Sequence, residues 1–105
     1  MSYCIILTTT ASAQEADKIA NVLVESRAAA CVQISPIVSV YRWQGKVEQE
    51  NELRLTIKTT DELYPRVENL IKENHSYEVP QIVKVSITDG LREYLEWISE
   101  EMVLK

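Results

Sequence analysis

A chain of 105 residues has room for one domain, spanning 1–105, and not for two. Hydrophobic residues at 46% and charged residues at 26% belong to a globular protein, and a domain of this size buries roughly two-thirds of its unfolded surface, so folding requires neither a metal nor a disulfide. The net charge of −5 and pI of about 4.9 offer no concentrated basic surface, which excludes nucleic acid as the expected partner.

Tyr3 to Thr9 is a short apolar, β-branched run and reads as the first strand. It lacks the basic lead-in of a signal peptide, and no apolar run approaches the ~18 residues of a membrane span. Cys4 and Cys31 have no metal-knuckle spacing, so the expected compartment is the cytoplasm. Ser12 and Glu15 stand at capping-box spacing, and Ala16, Ile19, Ala20 and Leu23 follow at helical intervals, predicting a helix from about Ala13 to Arg27. Cys31 to Tyr41 alternates and is interrupted by Pro36, which a sheet tolerates at an edge or bulge. Gln44-Gly45 is a turn signal. Beyond it Val47, Leu53, Leu55 and Ile57 alternate with polar residues, giving a long hairpin.

A second helix is expected from Asp61 to about Asn74, with Pro65 in its first turn. Ile82 to Thr88 reads as a strand, and Leu91, Tyr94, Leu95, Ile98 and Met102 as a short C-terminal helix. The order β-α-β-β-α-β plus one helix is that of an α+β, ferredoxin-like fold with strand order 4-1-3-2. Helices covering one face should leave the other polar. Yet the first strand is apolar on both sides, and the long hairpin projects past the core. Self-assembly into a closed homo-oligomer would cover such edges.

Five segments in order resemble the CutA family of divalent-cation-tolerance proteins: Ala29–Ile34 with Pro36, Tyr41–Val47, Glu52 with Ile57–Thr59, His75–Pro80, and Tyr94–Ile98. The resemblance covers roughly residues 3 to 99. It implies a homotrimer, tolerance to copper and other divalent metals, direct metal binding, and no established catalytic reaction. In that family proline usually follows the histidine, where this chain has Ser76. Some bacterial members also carry a cysteine and a second histidine at positions that correspond here to Thr8 and Asn74.

The candidate metal ligands are His75, Cys31 and Glu52, with copper(II) or zinc as the ion. His75 is the only histidine, and neutral imidazole suits both metals. Its bland reading is a hydrogen bond to a helix end or subunit contact. Cys31 offers a thiolate, or else packs as a small buried residue. Glu48, Glu50 and Glu52 share one hairpin face, where carboxylates attract hard cations or simply keep a strand soluble. Tyr41, Trp43, Lys58, Tyr77 and Glu78 resemble positions that gather around an intersubunit cleft, where interface packing alone would also place aromatics. No phosphate loop, nucleophile elbow or paired-cysteine motif is present, so no enzyme is expected. A rival from another class is a signalling trimer like the PII proteins, with a small anion or a partner protein held near Lys58.

Overall fold

The computed structural model describes residues 2–103, so residues 1, 104 and 105 of the expected domain lie outside the described part. Strands β1 (Tyr3–Thr10), β2 (Cys31–Trp43), β3 (Lys46–Thr60) and β4 (Val83–Ile87) form one sheet, with helices α1 (Ala13–Glu25), α2 (Tyr64–Asn74) and α3 (Arg92–Met102). The strand order is β2-β3-β1-β4 with every neighbouring pair antiparallel, which is the expected 4-1-3-2 order read from the opposite edge. The fold is α+β.

The alternation of each strand sorts its residues onto two faces. Cys4, Ile6, Leu55 and Ile57 are fully buried, and they pack with Ala16, Ile19 and Leu23 of α1 and with Val67 and Ile71 of α2. This is the core. On the outer face, Tyr3 donates a hydrogen bond to Ser99 at 3.3 Å, and the Lys58 ammonium lies 5.2 Å from the centre of the Tyr94 ring. Helix α3 therefore rests against the outer face at the end of the sheet where β1 begins. Its Ile98 is fully buried.

Strand β1 runs one residue past the expected Thr9 and β4 is one residue shorter at each end than Ile82–Thr88, and three further boundaries differ for a local reason. Helix α1 stops at Glu25, two residues before Arg27. Arg27 has φ of 59°, its amide bonds to Val24, and the Ala28 amide reaches back to Leu23. That is a Schellman ending, built on arginine where glycine is usual. Residues Asp61–Leu63 form a 3₁₀ turn before α2. Pro65 has no amide to offer the Asp61 carbonyl, which accepts instead from Tyr64 three residues on. Strand β2 runs on to Trp43, and Gln44 and Gly45 turn the chain with φ of 49° and 78°. Both angles are positive, as a type I′ hairpin turn requires.

The hairpin gives the molecule its shape. Strand β1 pairs with β3 only as far as Thr10 opposite Leu53, so Ile37–Trp43 and Lys46–Glu52 continue as a two-stranded ribbon. The extents are 46 × 26 × 21 Å, and the radius of gyration of 14.4 Å exceeds the roughly 13 Å usual for a compact chain of this length. Val38, Val40, Trp43 and Val47 on the ribbon are 59 to 67% exposed.

Candidate functional site

The residues with the most chemistry meet where α2 ends and the ribbon leaves the sheet. His75 caps α2, and its side chain is fully buried. Its Nε2 lies 2.7 Å from the Thr9 carbonyl oxygen of β1, and its Nδ1 accepts the Tyr77 amide at 3.0 Å. These two contacts select the Nε2–H tautomer: an amide donates, so Nδ1 presents its lone pair to Tyr77, and the Thr9 carbonyl accepts from Nε2. Glu15, in the first turn of α1, brings Oε1 to 3.3 Å from Nδ1 and accepts a hydrogen bond from Ser76 at 3.2 Å. Ser76, which replaces the expected proline, thus anchors the segment after α2 to α1.

Two residues on, the Tyr77 ring lies 4.7 Å from the imidazole between centroids, and its hydroxyl donates to Glu52 Oε2 at 2.9 Å. Burial, then the bond to Glu52, hold the Tyr77 phenol well above the ordinary tyrosine range. Glu52 is only 8% exposed, on the outer face of β3 opposite Ile37. On the other face of the hairpin, Ala11, Pro36, Val38, Asn51 and Leu53 line an open cavity of about 360 Å³. Tyr41, on the same face of the ribbon as Glu52, is pushed up by a hydrogen bond to Glu50 and by the neighbouring carboxylates. Glu78 is exposed.

The expected ligands do not converge within one chain. Glu52 pairs with Ile37, whereas Cys31 pairs with Lys58, six positions further along the same two strands. At about 3.3 Å per residue they stand roughly 20 Å apart. Among the described residues no three or more histidine, cysteine, aspartate or glutamate side chains gather into a cluster able to hold a metal ion. Trp43 and Lys58 are at opposite ends of the hairpin, and Lys58 sits beside the stacked Tyr94–Trp97 pair instead. Cys4 and Cys31 are both free thiols. Asn74 donates to the Leu70 carbonyl at 2.8 Å, closing the helix end. Thr8 is fully buried, and its hydroxyl has no hydrogen-bond partner among the described residues.

Two features of this constellation, the Glu15–Ser76 bond and the burial of Glu52, were hidden in the sequence. Nothing in the spacing joins Glu15 to Ser76, sixty-one residues away. The burial of Glu52 is masked by its place in a row of carboxylates that reads as a solvated face. The family resemblance was the one usable signal for His75, Glu52 and Tyr77.

The topology and site define an antiparallel α+β protein with a buried carboxylate at the root of a projecting hairpin. The family model described as CutA1 divalent ion tolerance protein matches residues 4–101, and the chain belongs to that family. The divalent-cation tolerance protein CutA of Thermus thermophilus is 46% identical over 97 residues, covering 91% of this chain and 94% of that one. A solved structure of CutA from Archaeoglobus fulgidus, described as a periplasmic divalent cation tolerance protein, superposes with a TM-score of 0.94 at 40% identity. It covers 96% of this chain and 99% of that one. The chloroplastic CutA of Arabidopsis thaliana is 39% identical over 95 residues, which are 90% of this chain and 52% of that one. No helix of the described residues is long and apolar enough to cross a membrane.

Proposed function

We propose that this chain is a non-catalytic divalent-cation tolerance protein of the cytoplasm, which assembles into a ferredoxin-like homotrimer and binds copper(II) or zinc at sites completed between copies. The observation that carries this reading is Glu52. A carboxylate 8% exposed, with one hydrogen bond from a neutral hydroxyl, has among the described residues no positive partner to offset its loss of water. Carboxylate oxygen fits zinc or copper(II), and the thiol of Cys31 suits the same ions. Since Glu52 and Cys31 lie too far apart in one chain, a shared ion would draw on two copies.

The ribbon supports the assembly. A two-stranded hairpin alone is marginal in water, and its exposed valines and Trp43 form the surface that a second copy would cover. The bound ion would be withheld from the surrounding solution, which is the chemistry that tolerance needs.

Isothermal titration of the metal-free protein with copper(II) and with zinc tests the reading. Saturable binding is expected, at least tenfold weaker in Glu52→Gln, with the mass of three chains by light scattering. Isotherms that are flat, or unchanged in Glu52→Gln and Cys31→Ser, would make metal tolerance an indirect effect.

Lys58 favours a second reading, a signalling trimer that holds a small anion or a partner protein. Its ammonium stands beside the stacked Tyr94–Trp97 pair, a cation with an aromatic wall. Thermal stabilisation by anionic metabolites, and not by metals, would favour it.

A further inference from the structure

The histidine that the family resemblance offers as a ligand does not fit a metal ion. A metal needs a lone pair on an imidazole nitrogen. The Nδ1 lone pair is taken by the Tyr77 amide at 3.0 Å, and Nε2 carries the proton directed at the Thr9 carbonyl at 2.7 Å. The side chain is fully enclosed, so binding would require breaking one of these bonds and opening the segment that follows α2.

We infer that His75 is a positioning residue: its ring ties β1 to the backbone of Tyr77 and thereby seats the Tyr77 hydroxyl on Glu52. The links run in series. Thr9 holds the ring, the ring holds the Tyr77 amide, and the side chain of Tyr77 then spans to the root of the ribbon, twenty-five residues away in sequence. Ring packing at 4.7 Å between His75 and Tyr77 restricts the direction in which the phenol leaves the backbone. The Ser76–Glu15 bond holds the same segment against α1, but from an exposed residue, so it secures position less firmly. In this role His75 decides how the Tyr77 hydroxyl meets Glu52 without itself binding a ligand.

A single histidine makes the test direct, because the ring nitrogens give one unambiguous set of resonances. In ¹⁵N-labelled protein the pattern expected is that of the Nε2–H tautomer, unmoved by excess zinc. Two substitutions separate positioning from simple structural support. In His75→Asn the side-chain oxygen falls near the place of Nδ1 and still accepts the Tyr77 amide. In His75→Gln the side-chain nitrogen falls near Nε2, so the Thr9 bond survives and the Tyr77 bond does not. The Tyr77 ζ-carbon resonance should therefore stay at its wild-type position in His75→Asn. In His75→Gln it should move toward its position in Glu52→Ala, where the hydroxyl has lost its acceptor. Zinc-dependent shifts of the ring nitrogens, or a Tyr77 resonance indifferent to both substitutions, would overturn the inference. Should both variants fail to fold, the zinc titration of the wild-type ring still decides whether His75 is a ligand. Loss of metal binding in Glu52→Gln with an unmoved His75 ring separates this role from the proposed function.

Discussion

At the scale of single residues, the two cysteines make contrasting use of the same side chain. Burial is the main cause that pushes the Cys4 thiol from 9.0 up to about 12, with Asp61 as its hydrogen-bonded and charged neighbour. A folded value above the unfolded one means that the neutral thiol favours the fold at low pH. That contribution is complete below about pH 9 and is lost as pH rises toward 12. In Cys4→Ala this part of the alkaline loss of stability should vanish, as pH-dependent urea melts would record. At pH 8 an alkylating reagent should label the partly exposed Cys31 and spare Cys4 in the folded protein. The bond between Tyr77 and Glu52 gives a second contrast. Glutamine at position 52 keeps an acceptor, so Glu52→Gln should change stability by less than about 1 kcal/mol, whereas Glu52→Ala orphans the phenol and should cost about 1–3 kcal/mol. The family resemblance could nominate His75, Tyr77 and Glu52 as interesting. It could not say that they form a chain of contacts, because that depends on where α2 delivers residue 75 relative to β1.

At the scale of elements, the chain was most legible where periodicity and local chemistry agreed. Half of the expected capping box at Ser12 forms: its side chain accepts the Glu15 amide at 3.2 Å, while the Glu15 carboxylate turns to Ser76 and His75. Ser12→Ala should lower the stability by about 1 kcal/mol, measured by chemical denaturation. The Gln44-Gly45 turn was readable from its dipeptide, and its angles make Gly45→Ala costly by about 1 kcal/mol although the space around the new methyl is open. Gln44→Asn, by contrast, should stabilise the hairpin by a few tenths of a kcal/mol, roughly, since asparagine tolerates positive φ better. The misjudged helix boundaries share a cause. Arg27 takes a left-handed conformation without being glycine, and the turn at Asp61–Leu63 is imposed by a proline two residues downstream. In both cases local hydrogen bonds set the boundary: arginine gives no sign of it at position 27, and Pro65 reads equally well as the first turn of a longer helix.

At the scale of the whole molecule, two groups of exposed apolar residues lie along the edges of the sheet. Val38, Val40, Trp43 and Val47 line the ribbon, while Val83 and Val85 face outward on the opposite edge strand β4. Each edge would be an aggregation risk if left bare. The excess of apolar residues on both sides of β1 had already pointed to assembly from the sequence. What patterning could not give was the length of unpaired ribbon, because that follows from where β1 stops at Thr10 and not from β2 or β3 themselves. Val40→Glu, placed on the ribbon and far from the core, should leave the circular dichroism spectrum of the chain largely unchanged and lower the mass seen by light scattering. A variant of undiminished mass would move the assembly surface away from the ribbon.

The ribbon also bears on what a melting temperature would mean for this protein. Residues near its root are held by the sheet, and those near its tip have only each other within one chain. If other copies supply the missing contacts, dilution weakens the tip before it weakens the root. Heating scans at tenfold lower protein concentration should then begin to lose strand signal earlier, with the sharpest change in Trp43 fluorescence, and no single value would describe the protein apart from its concentration.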